Sequence, residues 1–322
     1  MIVIFSNPRE WSVNDVFDWV HYHFREKCEV VSDVSSLKSC FQFLEVSNSN
    51  VAVQFRSGRV DGVWFRGYLY YDLPESFSKP VKRHIKEEMD AFLSCFFNAV
   101  RHTGVRVLGT NEQDLLFLNV NKIKSLIVAA AAGLNIPYSN IAFDNRTIRE
   151  VVSAARRPFI TKPVSNPIFL FTGDRSYSMY TSMIDTQKLS ADRHPASPNL
   201  IQHYVRKQFE LRIFYLNGKC YSAAIFSQSS DKTQVDFRNY DDDRPNRVVP
   251  YKLPRNITAS IRKFMKNMGL NTGSIDMIYG DDGVYYFLEV NPVGQYSMIS
   301  LPCNFFLDEK IAAYLTSNER AA

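Results

Sequence analysis

Apolar positions along this chain fall into periods of two and of about 3.6, and the two periods alternate from one end to the other. Met1 to Ser6, Phe41 to Val46 and Val51 to Phe55 read as strands, with Ser47-Asn48-Ser49-Asn50 turning between the last two, and Trp11 to Phe24 reads as a helix. Ile85 to Val100 is a long amphipathic run with Phe92, Phe96 and Phe97 on its apolar side, where core packing is the commoner use of such residues. Further on, Asn121, the run Lys122 to Ala132, Gly133 and Pro137 form a sequence of cap, helix, stop and breaker. A helix around Thr147 to Arg156, a short strand in Pro158 to Val164, a hairpin turning at Gly173-Asp174 and the apolar run Asn199-Leu200-Ile201 follow. Phe209 to Leu216 alternates and turns at Asn217-Gly218 into Cys220 to Phe226. Two last helices are predicted, Arg255 to Met268, capped by Asn256 and stopped by Gly269, and Asn304 to Leu315.

The hairpin near the C-terminus combines this periodicity with chemistry. Gly280-Asp281-Asp282-Gly283 separates two runs rich in β-branched and aromatic residues. A loop of two or four residues would put Asp276, Glu289 and Asn291 on one face, and Ile275, Met277, Leu288 and Val290 on the other. Burying an Asp beside a Glu costs several kcal/mol unless a cation or hydrogen-bond donors compensate. Carboxylate and amide oxygens suit Mg²⁺, which keeps waters and takes phosphate oxygens. A half-solvated hairpin with its polar residues facing water is the competing reading. Lys122 gains nothing from the positive end of its helix dipole, so helix stability does not explain it. Lys162 stands in an apolar strand, either as a solvated edge lysine or toward a ligand. Alternation puts Glu210 and Arg212 on one face, as a surface pair worth less than about 1 kcal/mol or as a planar donor fork for phosphate. Asp241-Asp242-Asp243 reads as a solvated loop, since no Gly or Glu completes a Ca²⁺ site.

The order of these features resembles a known family. Asn121-Lys122, Thr161-Lys162-Pro163, Gln202-His203-Tyr204-Val205, Phe209-Glu210-Leu211-Arg212, Asp236-Phe237-Arg238-Asn239-Tyr240 and Glu289-Val290-Asn291-Pro292-Val293-Gly294-Gln295-Tyr296 look like the ATP-grasp ligases. More narrowly they look like the graspetide peptide maturases, of the microviridin-like, grasp-with-spasm type. The resemblance runs from about Asn121 to Leu315, with Val63-Trp64-Phe65-Arg66 a weaker echo upstream. It implies an α+β ATP-grasp fold, two α+β subdomains clasping ATP, preceded by an α/β pre-ATP-grasp domain. The boundaries it implies are 1–118, 119–198 and 199–322, the last carrying the metal site. ATP and Mg²⁺ are the implied cofactors. Lys122 and Lys162 would contact phosphates, and Gln202, His203, Tyr204 and Val205 would form a hinge whose backbone reads adenine. Glu210 and Asn239 would complete the nucleotide site, Arg212 and Arg238 would be the catalytic donors, and Asp276, Glu289 and Asn291 would hold Mg²⁺. Many relatives carry a carboxylate near His203, so histidine there is a departure, with packed and solvent-facing roles both open. Closure over the phosphates would rely on Arg175, Ser176 or Ser178, because the hairpin at Gly173 has one glycine.

The implied activity is ATP-dependent macrocyclisation of a ribosomal precursor peptide with a leader segment. Asp or Glu side chains would be joined to Thr or Ser as esters, or to Lys as amides, through an acyl phosphate, and a homodimer is expected from the relatives. A ligase of the same fold that adds free amino acids, and a nucleotide-dependent peptide-binding protein without catalysis, are the alternatives. Composition is compatible: 322 residues, 45% hydrophobic, leave room for two domains with sizeable cores. No apolar run is long enough to span a membrane, and the N-terminus lacks the basic start of a signal peptide, so a cytoplasmic protein is expected. Five cysteines without paired spacing predict reduced thiols. A net charge of +5, with Lys and Arg not gathered into one tract, argues against a nucleic-acid partner.

Overall fold

Runs too short to show any period build the first sheet. In chain order the elements begin β1 (Ile2–Phe5), α1 (Ser12–Asp18), β2 (Cys28–Val31), α2 (Val34–Cys40), β3 (Phe41–Val46), β4 (Val51–Phe55), β5 (Gly58–Arg59), β6 (Gly62–Phe65), α3 (Lys79–His102) and β7 (Arg106–Leu108). They continue α4 (Lys122–Ala131), β8 (Ser139–Ala142), α5 (Asn145–Ala155), β9 (Phe159–Pro163), β10 (Phe169–Thr172), β11 (Arg175–Ser178), β12 (Ser182–Met183), β13 (Asn199–His203), β14 (Lys207–Leu216), β15 (Lys219–Phe226) and β16 (Arg247–Pro250). The last are α6 (Arg255–Asn267), β17 (Thr272–Gly280), β18 (Tyr285–Asn291), α7 (Ser297–Ser300) and α8 (Leu307–Thr316). This computed structural model describes residues 1–316 apart from 49, 68, 72, 111–121, 165–168, 173–174, 179–180, 190–197 and 228–245. The expected cap Asn121, the turn Gly173-Asp174, Arg238, Asn239 and the Asp241–Asp243 run lie outside the described residues.

The chain divides into two compact units. One comprises Met1–Leu116, Leu270–Gly273 and Gln295–Ala322, and the other Phe117–Gly269 and Ser274–Gly294. In the first unit, β2, β1, β6 and β7 form a parallel sheet in that order, and β3, β4 and β5 form an antiparallel one. β1 and β6 are buried along their whole length, as expected of parallel strands covered on both faces. The phenylalanines of α3 fill one side: Phe5 meets the rings of Phe96 and Phe97 at 5.1 and 5.2 Å. α8 packs against β6, β7 and α1.

Several helix entries differ from the sequence reading. α3 starts at Lys79, six residues before Ile85, because the extended Ser78 and Pro80 in the first turn preset an entry. α6 is entered through Pro254, not Asn256: Thr258 donates to the Pro254 carbonyl from its N–H at 3.0 Å and its hydroxyl at 3.1 Å. α8 starts at Leu307 because Asn304 and Phe306 take left-handed φ angles of 53° and 50°, which a helix cannot include.

The second unit carries two larger sheets, one ordered β12-β9-β13-β8 and the other β16-β15-β14-β17-β18, with β10 and β11 as a separate hairpin. α5 covers the first of these, where Ile148 joins Ala142, Phe159 and Ile201 in a buried cluster. α4 packs on β18 and α6, and α6 brings Phe264 to 4.8 Å from Phe287 of β18. No helix among the described residues is long and apolar enough to cross a membrane.

Candidate functional site

The site residues predicted from sequence that are described all lie in the second unit. β17 and β18 pair so that Asp276 faces Glu289 and Ser274 faces Asn291. The loop is not the even one expected. Gly280 N–H donates to the Val284 carbonyl at 2.9 Å, so Asp281 to Gly283 form a three-residue loop, with Gly283 at a φ of 76° supplying its left-handed position. An odd loop alone would set Asp276 opposite Leu288 and turn Glu289 to the apolar face. A β-bulge between Asp276 and Met277 inserts one residue and restores the pairing. Leu288 is therefore not part of the buried apolar row; Phe287, fully buried, takes the place opposite Met277, and Leu288 is the half-buried extra residue. Gly294 follows at a close approach, since a Cβ there would stand 2.5 Å from the Cβ of Ser274.

Arg212 and Glu210 project from β14, and both are buried rather than exposed. They are not each other's partners. Arg212 Nη1 donates to both carboxylate oxygens of Asp276, at 2.8 and 3.0 Å. Glu210 instead pairs with Lys207, and accepts from Ser227 Oγ at 2.9 Å. Burial dominates the Glu210 carboxyl and holds it above the ordinary carboxylate range, with Lys207 and Ser227 offsetting part of the effect. Lys207 and Ser227 were not anticipated. A regular strand sends residues three apart to opposite faces, so the spacing of Lys207 and Glu210 carries no signal for a pair. Lys207, the first residue of β14, precedes its register with β15, which begins at Glu210 opposite Ile225.

Lys122 opens α4 and Lys162 lies in β9; both are buried. Lys122 Nζ donates to the carbonyl of Pro163 at 3.2 Å, which sets it beside the residue that follows Lys162. Two buried lysines on adjoining elements suit an anion as point charges.

Gln202 is the penultimate residue of β13, opposite Ile160 of β9 and Ser139 of β8. Its side chain is almost wholly buried. Ser139 Oγ donates to the Pro137 carbonyl at 2.7 Å, so it accepts from Gln202 Nε2, also at 2.7 Å, and this fixes the amide orientation. Gln202 Oε1 is left buried with no donor among the described residues. A buried acceptor without a donor costs about 1–3 kcal/mol, and an exocyclic amino group of the adenine type would satisfy it. The sequence points only to the backbone here. His203 is half-buried against Phe159 and Tyr138, with ring centroids at 4.5 and 4.8 Å; burial, then the nearby Arg157, lower its pKa and favour the neutral ring. The N–H groups of His203 and Tyr204 donate to the carbonyls of Tyr138 and Pro158, each at 2.9 Å. Those two amides are committed to the fold, and Val205 lies next along the segment.

The donor chemistry fits a hard divalent cation: a carboxylate pair in register on one strand face, with an amide oxygen two residues along. Asn291 Oδ1 also accepts from Val293 N–H at 3.1 Å, leaving its second lone pair. Among the described residues no group of three or more His, Cys, Asp and Glu is placed to hold a metal ion by itself. A set of two carboxylates and one amide is compatible with that.

No family model and no curated protein matches the chain. Solved structures do. A RiPP-associated ATP-grasp ligase of Chryseobacterium gregarium, in complex with ADP and a leader and core peptide, is 18% identical with a TM-score of 0.78, covering 100% of this chain and 98% of the other. The macrocyclase MdnC of Microcystis aeruginosa, bound with the precursor peptide MdnA, is 21% identical with a TM-score of 0.73, covering 98% of each chain. The ATP-grasp ligase PsnB, complexed with a minimal precursor, Mg and ADP, is 17% identical with a TM-score of 0.71, covering 98% of this chain and 96% of that one. Across its whole length, the chain has the α+β fold of the ATP-grasp ligases.

Proposed function

We propose that this protein is an ADP-forming ligase that uses ATP and Mg²⁺ to join side chains of a ribosomally made precursor peptide as esters or amides. The observation that carries the reading is the ion pair of the buried Arg212 with the half-buried Asp276, opposite Glu289, in a fold whose solved neighbours hold ADP, Mg and precursor peptides. Asp276, Glu289 and Asn291 would hold Mg²⁺, which when bound neutralises phosphate oxygens. Arg212 orients the Asp276 carboxylate and adds positive charge where an oxyanion develops on the activated carbonyl. Lys122 and Lys162 would bind the nucleotide phosphates. Gln202 would accept from the base, and the hinge through His203, Tyr204 and Val205 would frame it. Glu210 would keep its place through Lys207 and Ser227, and Arg238 and Asn239 are proposed as further contacts. Holding acceptor and donor on one peptide supplies the effective molarity that lets a hydroxyl compete with water.

We further infer an N-terminal domain to about residue 118, a central part to 198 and a C-terminal part carrying the metal ligands. The setting is cytoplasmic, as a homodimer, with a leader-bearing peptide and no nucleic acid as partner. The test is to incubate the protein with ATP, Mg²⁺ and a candidate precursor, a short Thr-, Lys-, Asp- and Glu-rich peptide encoded beside the gene, and to weigh the product. Each ring removes one water, about 18 Da. ATP-dependent stepwise losses that vanish in Glu289→Gln are expected. ATP consumption with unchanged peptide mass, alongside transfer to free amino acids, would move the assignment to a small-molecule acceptor.

A further inference from the structure

Strand alternation gives the two faces of the β12-β9-β13-β8 sheet different work. Ala142, Phe159 and Ile201 point to the face that α5 covers, where Ile148 joins them. The residues between them point the other way. Leu200 pairs with Lys162, and Gln202 pairs with Ile160 on one side and Ser139 on the other, so Lys162, Gln202 and Ser139 share the opposite face. In register Lys162 and Gln202 lie two residues apart, about 7 Å along the strands. A cation suited to phosphate and an acceptor suited to a base thus stand on one surface.

The direction of that acceptor is set by Ser139. Its hydroxyl proton goes to the Pro137 carbonyl at 2.7 Å, so toward Gln202 it offers a lone pair, which takes the Nε2–H group at 2.7 Å. Oε1 is thereby turned to where no described residue donates, on a side chain whose residue is only 1% exposed. The next donors along the chain are already committed, since the N–H groups of His203 and Tyr204 go to the carbonyls of Tyr138 and Pro158. A fixed, buried acceptor admits a donor and opposes a second acceptor. Without the Ser139 hydroxyl the preference between the two amide orientations is lost, and a flipped amide would present N–H instead.

Resting on the nucleotide reading above, we propose that Ser139 is a positioning residue that sets the base preference of this protein: by locking the Gln202 amide it selects purines with a 6-amino group over purines with a 6-oxo group. A 6-amino group places a donor on Oε1, whereas a 6-oxo group sets a carbonyl oxygen against it. Such a mismatch leaves a buried polar group unpaired, which is what makes this kind of discrimination large. Ser139 acts through Gln202 and makes no contact with the base.

The probes are ADP and IDP, which differ only on the hydrogen-bonding edge of the base and need no turnover. Their dissociation constants are measured by calorimetry with the full chain in the presence of Mg²⁺. The parent is expected to bind ADP about 30-fold more tightly than IDP. In Ser139→Ala that ratio should fall at least about fivefold with IDP binding no weaker than in the parent, and in Ser139→Thr, which keeps the hydroxyl, it should stay within about twofold of the parent. If Ser139→Ala does not fold, as judged by circular dichroism, Ser139→Cys gives the same comparison, because it keeps the shape and replaces the oxygen with a weak acceptor. A ratio that is unchanged in these variants, with both nucleotides weakened alike, would mean a purely structural role for Ser139 and overturns the proposal. Equal affinity for ADP and IDP in the parent also overturns it, while leaving the nucleotide site standing. Binding of neither would refute the nucleotide reading itself and the proposal with it.

Discussion

The Lys207–Glu210 pair offers the sharpest quantitative test of how β14 is held. Its side chains are 2% and 9% exposed, with Ser227 the further donor to the carboxylate. Glu210→Gln keeps the shape and removes the charge, leaving a buried ammonium beside a neutral amide. Breaking a buried ion pair costs about 3–5 kcal/mol, and the glutamine oxygen can still accept one bond, so a loss of about 2–4 kcal/mol is expected. Lys207→Met leaves a buried carboxylate with Ser227 as donor and should cost a similar amount. In Lys207→Met/Glu210→Leu no charge remains to desolvate, and the double variant should lie within about 1 kcal/mol of the parent. The assay is urea unfolding at pH 7 of the parent, both single variants and the double, with a coupling energy of about 3 kcal/mol or more as the expected result. Single costs that simply add, with coupling below about 0.5 kcal/mol, would show that the two charges do not depend on each other and would refute the reasoning.

Arg212→Ala should slow ligation about 10²–10³-fold while ATP affinity, measured by calorimetry, changes less than about threefold; an equal loss of affinity would reassign the arginine to ground-state binding. Gln202→Leu removes the buried acceptor, so it should weaken ATP binding about tenfold without lowering thermal stability, and a large fall in melting temperature would contradict this. For Glu10, burial acts to raise the carboxyl, but Arg66 with Ser12 and Gln295 outweighs it, and the folded value lies below 4.5. Its contribution to stability is thus present above pH 4.5 and lost as pH falls through the lowered folded value. Glu10→Gln should flatten the stability profile in that acid range, and an unchanged slope in acid titrations would show that Glu10 does not supply it.

Sequence and tertiary structure contribute to different parts of this molecule. Long amphipathic patterns are local, so α3, α4 and the β14–β15 hairpin at Asn217-Gly218 are readable without knowing what they pack against. The strands beside β1 are not. β2, β6 and β7 are three or four residues long, and parallel strands are joined only through distant connections, so pairing rather than period defines them. The same division runs through the site. Residue types at Asp276, Glu289 and Asn291 suggest a hard cation, and strand alternation places them together, but the actual register rests on an odd loop and a bulge that compensate each other. Parity counted along the chain cannot separate that from an even loop with no bulge.

What the sequence determined by itself is therefore the inventory: elements of clear period, the order of the lysines, the arginine and the carboxylates, and the turn residues between them. Tertiary structure alone decided who meets whom. Arg212 takes Asp276 from a neighbouring strand instead of Glu210 from its own, Lys207 meets Glu210 three residues along β14, and Gln202 keeps a buried acceptor because Ser139 has already turned its hydroxyl to Pro137. The physical reason is that charge pairing and hydrogen-bond satisfaction in a buried site depend on distances between strands and on direction, which local periodicity does not encode.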